Sequence, residues 1–205
     1  GTPDGAFPSF VPPMLVSVET IKVRPAGMID PWLPAGATTT NGNNIDAYTD
    51  RAAPDGLSGT DFRASVTSPG TFDRVFDTAL SPVASTAQQS AAITQLFYTT
   101  NHLHDYWYDS GFDEAHANAQ AQNFGRGGVE GDVMRVEAQD AYDEGSRDNA
   151  NMSTPADGES PRMQMYVWGD SNPGADSALD ALVVQHEWGH YLHHRLSQCG
   201  TAQCA

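Results

Sequence analysis

The stretch DSALDALVVQHEWGHYLHHRL, from Asp176 to Leu196, constrains this chain more than any other. Pro173 and Gly174 break the chain just before it, and Leu179, Leu182 and Val183 carry an apolar side toward His186. Ser177 followed by Asp180 reads as a weak capping box, so the pattern predicts a helix over 176–196. Inside it His186, Glu187 and His190 spell His-Glu-x-x-His. Positions i and i+4 of a helix lie about 40° apart in azimuth and one turn apart in height, so both imidazoles can reach one ion. Glu187 sits beside that face, where a carboxylate can take a proton from a metal-activated water. An ordinary amphipathic helix can also hold two histidines by chance. The capped start and the apolar approach favour the zinc reading.

A catalytic zinc needs a third protein ligand as well as a position open to water. Leu196 and His193 occupy the places where an extended form of the motif would put a third histidine and a glycine. His193 shares the azimuth of His186 but lies about 10 Å farther along the axis, so His193 and His194 read as bystanders. No Asp or Glu follows Glu187. The missing ligand is therefore expected from an upstream acid, another chain, or sequence not present in this one.

The 205 residues suffice for one domain or two small lobes with a real core. A formal charge of -16 and a pI near 4.4 make nucleic acid and anionic membrane surfaces poor partners. No apolar run reaches the roughly 18 residues that would span a bilayer. The chain starts at Gly1 with no signal-like stretch, which reads as a processed product. Cys199 and Cys204 are the sole cysteine pair. A local disulfide, and hence an oxidising compartment, is the first reading; a Cys-plus-His metal site is the alternative.

In chain order, 1–84 is an irregular, β-prone segment rich in Pro, Gly, Asn and Thr, with strands expected at Met14–Val23 and Phe72–Phe76. Ser85 with Gln88 forms a capping box, Gly111 closes the far end, and 85–110 reads as a helix packed behind the site. His102 and His104 are two apart and cannot share a metal from it. The segment 111–175 is β-rich. Val133–Gln139 alternates Met134, Val136 and Ala138 against Arg135 and Glu137, and Arg162–Trp168 alternates likewise as a strand near a sheet edge. Asp140, Asp143, Glu144 and Asp148 crowd one loop; calcium could sit there, but a solvated acidic loop is the commoner outcome. Residues 197–205 read as a cysteine loop.

These residues resemble the fungalysins, secreted zinc metallopeptidases of the thermolysin-like group. The likeness covers most of residues 90–205. It rests on ITQLFYTTNHLHDYWYDSGFDEAHANAQ, on VEAQDAYDEGSRDNANMSTPADGESPRMQMYVW and on HEWGHYLHHRL, with a looser match at GNNIDAY. The resemblance implies an α+β, zincin-like fold, with a mostly β lobe before the zinc helix and a helical lobe after it. It implies His186 and His190 as zinc ligands and Glu187 as general base. The third ligand would be a Glu on a later helix that this sequence does not reach. The chain then corresponds to the N-terminal part of a catalytic domain, expected to bind zinc weakly and cleave poorly by itself. Asn149 and Ala150 match the step that holds the substrate backbone, although an Asn in a tight turn explains the same residues.

The implied partners are protein or peptide substrates, the C-terminal part of the catalytic domain as a separate or missing polypeptide, and an inhibitory propeptide. Location is expected to be extracellular. Two other readings stand beside the endopeptidase. One is a non-catalytic fragment that holds a peptide or pro-segment in the same cleft. The other is a calcium-dependent surface protein with no zinc at His186.

Overall fold

The computed structural model describes residues 30–169 and 173–197. The expected strand at Met14–Val23 and the Cys199–Cys204 pair lie outside the described residues. Four strands make the main sheet: β1 (Ile45–Thr49), β2 (Met134–Ala138), β3 (Ala150–Ser153) and β4 (Arg162–Met165). Their order is β1-β2-β4-β3, with β1, β2 and β4 parallel and β3 antiparallel to β4. A two-stranded ribbon follows, β5 (Val167–Trp168) with β6 (Ala175–Asp176). The described residues are thus mixed α and β, with two α-helices and small sheets.

Period-two patterning explains one face of the sheet. Ile45 stands opposite Met134, Ala47 opposite Val136, and Val136 opposite Met163, which makes an apolar row across three strands. The helix α1 (Thr86–Asp109) packs on this row, adding Ile93, Leu96 and Phe97 to the same core. Ser85 caps α1, its Oγ accepting from Gln88 N at 3.2 Å. The reciprocal half of the box is not made. The Gln88 amide instead accepts from Asp77 N and donates to Asp77 O, tying the preceding loop to the helix.

The other face departs from the alternation. Tyr48, Glu137 and Gln164 lie side by side across β1, β2 and β4, and all three are buried. The irregular segment after β1 covers them: Thr49 exchanges hydrogen bonds with Phe62, Arg63 pairs with Asp46, and Arg162 with Asp55. Glu137 is therefore not on a solvated strand face, as the alternation alone implies. Within Arg162–Trp168, β4 is second from the end of the sheet, near an edge as expected. β4 lies inside the sheet and β3 takes the edge. Phe72–Phe76 forms no strand.

The second helix, α2, runs Ala181–Ser197 and starts later than the sequence suggests. Asp176 and Ser177 are used before it. Asp176 ends β6 and caps a 3-10 turn at Ser177–Leu179, while Ser177 Oγ donates to Tyr166 O. The cap of α2 is Asp180, whose Oδ1 accepts from Leu182 N at 2.9 Å and from Val183 N at 3.4 Å. Replacing Asp180 with Ala is expected to lower stability by about 1 kcal/mol in urea unfolding. An unchanged midpoint would show that the cap carries no weight.

Candidate active site

The site is built on the two sides of α2. Val184, Trp188, Tyr191 and Arg195 point inward and are buried, following 4-3-4 spacing along the helix. His186 and His190 are exposed on the opposite side. Their Nε2 atoms lie 3.1 Å apart, and the rings meet edge to face with centroids 4.8 Å apart. Two nitrogens bound tetrahedrally at about 2.0–2.1 Å from one zinc are separated by roughly 3.3–3.4 Å. The observed pair is already close to that spacing, so the donor set and its geometry fit a zinc ion. Among the described residues, no third His, Cys, Asp or Glu joins this pair in a metal-sized group.

Glu187 lies between the two sides and is 5% exposed. Burial pushes its carboxyl above the ordinary range, while His190 and His186 pull it back down. A carboxylate so placed holds a proton more readily than one in open water. His193 is exposed and His194 only partly covered, and neither contributes a nitrogen to the His186–His190 pair.

Three layers behind α2 fix its rotation. Tyr191 OH accepts from Ala119 N at 2.7 Å and donates to Asn118 Oδ1 at 3.2 Å. Asn118 Nδ2 in turn donates to His104 Nε2 at 3.0 Å, and His104 Nδ1 faces Asp105 Oδ1 at 3.1 Å. Asp105 also accepts from Trp32 Nε1. His104 is thus a link in a buried relay between the helices, and its Nε2 is occupied by an amide. The C-terminal turn is held by Arg195, which donates to Asp132, Asp157 and the carbonyls of Ala117 and Glu159. Sequence reasoning passed over Arg195. The signal was its place on the buried stripe, where a charged residue must find partners.

Asn149 is exposed and its carbonyl accepts from Trp168 Nε1; Ala150 opens β3 and pairs with Met165. α2 packs against β3, the strand at the end of the sheet. Of the acidic loop, Asp143 pairs with Arg51, Glu144 accepts from Ala53 N and Asp148 from Gly169 N. Only Asp140 turns inward and is buried.

A helix that presents two histidines one turn apart, with a buried glutamate beside them, is the signature of a His-Glu-x-x-His metallopeptidase. Residues 14–205 match the family described as Fungalysin metallopeptidase (M36). The chain is 37% identical over 184 residues to "Extracellular metalloproteinase 3" of Trichophyton soudanense, covering 86% of this chain and 46% of that protein. It is also 37% identical to the Trichophyton rubrum protein of that name, covering 86% of this chain and 28% of that one. Against "Extracellular metalloproteinase MEP" of Pyricularia oryzae it is 39% identical over 169 residues, 81% of this chain and 26% of the relative. The chain belongs to the fungalysin metallopeptidase family. It spans between about a quarter and a half of the length of these relatives.

The anchoring of α2 can be tested in the full-length protein. Arg195→Ala leaves Asp132 buried without its cation, and a stability loss of about 3–5 kcal/mol in urea unfolding is expected. A loss below about 1 kcal/mol, the range of exposed ion pairs, would contradict it.

Proposed function

We propose that this chain is the N-terminal part of the catalytic domain of a secreted zinc endopeptidase with a zincin-like fold. The observation that carries the reading is the 3.1 Å approach of the His186 and His190 Nε2 atoms on the exposed side of α2. His186 and His190 would hold the ion, and the remaining protein ligand would come from outside the described residues. The exposed Leu182 and Leu196 on α2 support a further part of the catalytic domain packing here. When bound, zinc supplies a Lewis acid that acidifies water and polarises a carbonyl.

The chain's own residues supply the rest. Glu187 accepts the proton of the attacking water and returns it to the leaving amine nitrogen. Its burial favours that exchange, because the carboxyl holds a proton more readily than in open water. β3, at the end of the sheet and beside α2, offers backbone groups along which an extended peptide can add as a further strand, with Asn149 and Ala150 at its start. The relatives are named extracellular metalloproteinases, which supports secretion. No helix among the described residues is long and apolar enough to cross a membrane.

Glu187→Gln in the full-length protein is expected to keep zinc and fold normally, and to lose peptidase activity by about 10²–10⁴-fold. Turnover within a few-fold of wild type would remove Glu187 from the mechanism. Loss of zinc in that variant would make it a ligand instead.

A further inference from the structure

Three carboxylates, a group separate from the histidine pair, meet where β1 and β2 end. Asp50 follows β1, Glu137 lies in β2, and Asp140 lies just past its end. All three are buried, Glu137 completely. Each offers an oxygen, and these oxygens lie within 4.8 Å of one another. Oxygens on opposite sides of a calcium ion, each at about 2.3–2.6 Å, are separated by roughly 4.6–5.2 Å, so one ion can touch all three.

Glu137 Oε1 accepts from Tyr48 OH, but the completely buried Oε2 has no hydrogen-bond partner. Its nearest cation, Arg162 Nε, is 3.7 Å away, beyond hydrogen-bonding reach. A buried carboxylate oxygen left in that state is costly unless a cation completes it. The other two carboxylates are held in place by donors: Gly56 N bonds Asp50 Oδ2, and Gln164 Nε2 bonds Asp140 Oδ1. Such outer partners fix ligands in orientation.

The charge count points the same way. Three carboxylates face one guanidinium, and Arg162 is shared with Asp55, whose side chain is 67% exposed and screened by water. The cluster therefore carries an excess of about two negative charges when ionised, matching one divalent ion. Without that ion, burial drives Glu137 up to about 8 and Asp50 up to about 6, and raises Asp140 as well.

We propose that Asp50, Glu137 and Asp140 form a buried calcium site that ties the ends of β1 and β2 together. An all-oxygen, carboxylate-rich set suits calcium and disfavours zinc, which takes nitrogen and sulfur. Magnesium dehydrates reluctantly and suits an open, wet site better than this one. The ion also bears on β4 and β3. Asp140 is bonded by Gln164 of β4, and Tyr166, which bonds Asp140 too, accepts from Asn151 of the edge strand.

The test uses the full-length protein, zinc-loaded and stripped of weaker ions, with calcium chloride as the probe. Calcium should raise Tm by several degrees, and terbium bound in its place should luminesce on excitation of tyrosine, through Tyr48. Glu137→Gln should lose the terbium signal and at least most of the calcium-dependent rise. Should that variant fail to fold, Tyr48→Phe serves: the luminescence falls while calcium still raises Tm. A wild-type protein with no calcium response, one that responds to magnesium alone, or a Glu137→Gln protein that keeps the full calcium and terbium responses would each overturn the assignment.

Discussion

One helix has to be two things at once. The inward side of α2 must be apolar and large enough to lock its rotation, and Trp188 and Tyr191, both essentially inaccessible, do that. The outward side must then present nitrogen to whatever lies beyond. Because i and i+4 share a face, any rotation that buries Val184 and Trp188 also sets His186 and His190 outward together. The approach of their Nε2 atoms follows from how the opposite side packs. Glu187 falls between the two regimes, buried beside the imidazoles, and its raised affinity for a proton comes from that burial.

The packing is itself guarded by polar groups that hydrophobic burial cannot direct. The relay Trp32–Asp105–His104–Asn118–Tyr191 crosses from α1 to α2, and Arg195 clamps the last turn onto Asp132. Apolar contacts tolerate small slides and rotations, whereas hydrogen bonds between buried partners do not. The two kinds of contact together convert a greasy stripe into a fixed direction for the site.

How much of this was legible in the sequence depended on which contacts were local. The histidine pair, the apolar face of β2 and the Ser85 cap are set within a turn or a strand, and the residues display them directly. The burial of Glu137 leaves no local signal, because its environment is made by a segment some 80 positions upstream, whose irregular loops cover the polar face of the sheet. The start of α2 was misplaced for a similar reason: Ser177 is spent on Tyr166 and Asp176 on the preceding turn, leaving Asp180 as the cap. β4 reads as a strand near an edge because half-polar alternation suits the outer strands of a sheet. It sits one strand in, where its polar Gln164 finds a buried partner in Asp140. The chain's likeness to known metallopeptidases rested on its motifs, which are contiguous, while the acidic cluster at the strand ends is dispersed and left no motif.

The central claim is that His186 and His190 grip a single ion from one face of α2. Zinc K-edge X-ray absorption on the full-length protein tests it most directly. The account predicts two imidazole nitrogens at about 2.0–2.1 Å from the metal, with the imidazole signal diminished by replacing either histidine. A bound zinc with no imidazole scattering, or a spectrum unchanged by both replacements, would contradict it.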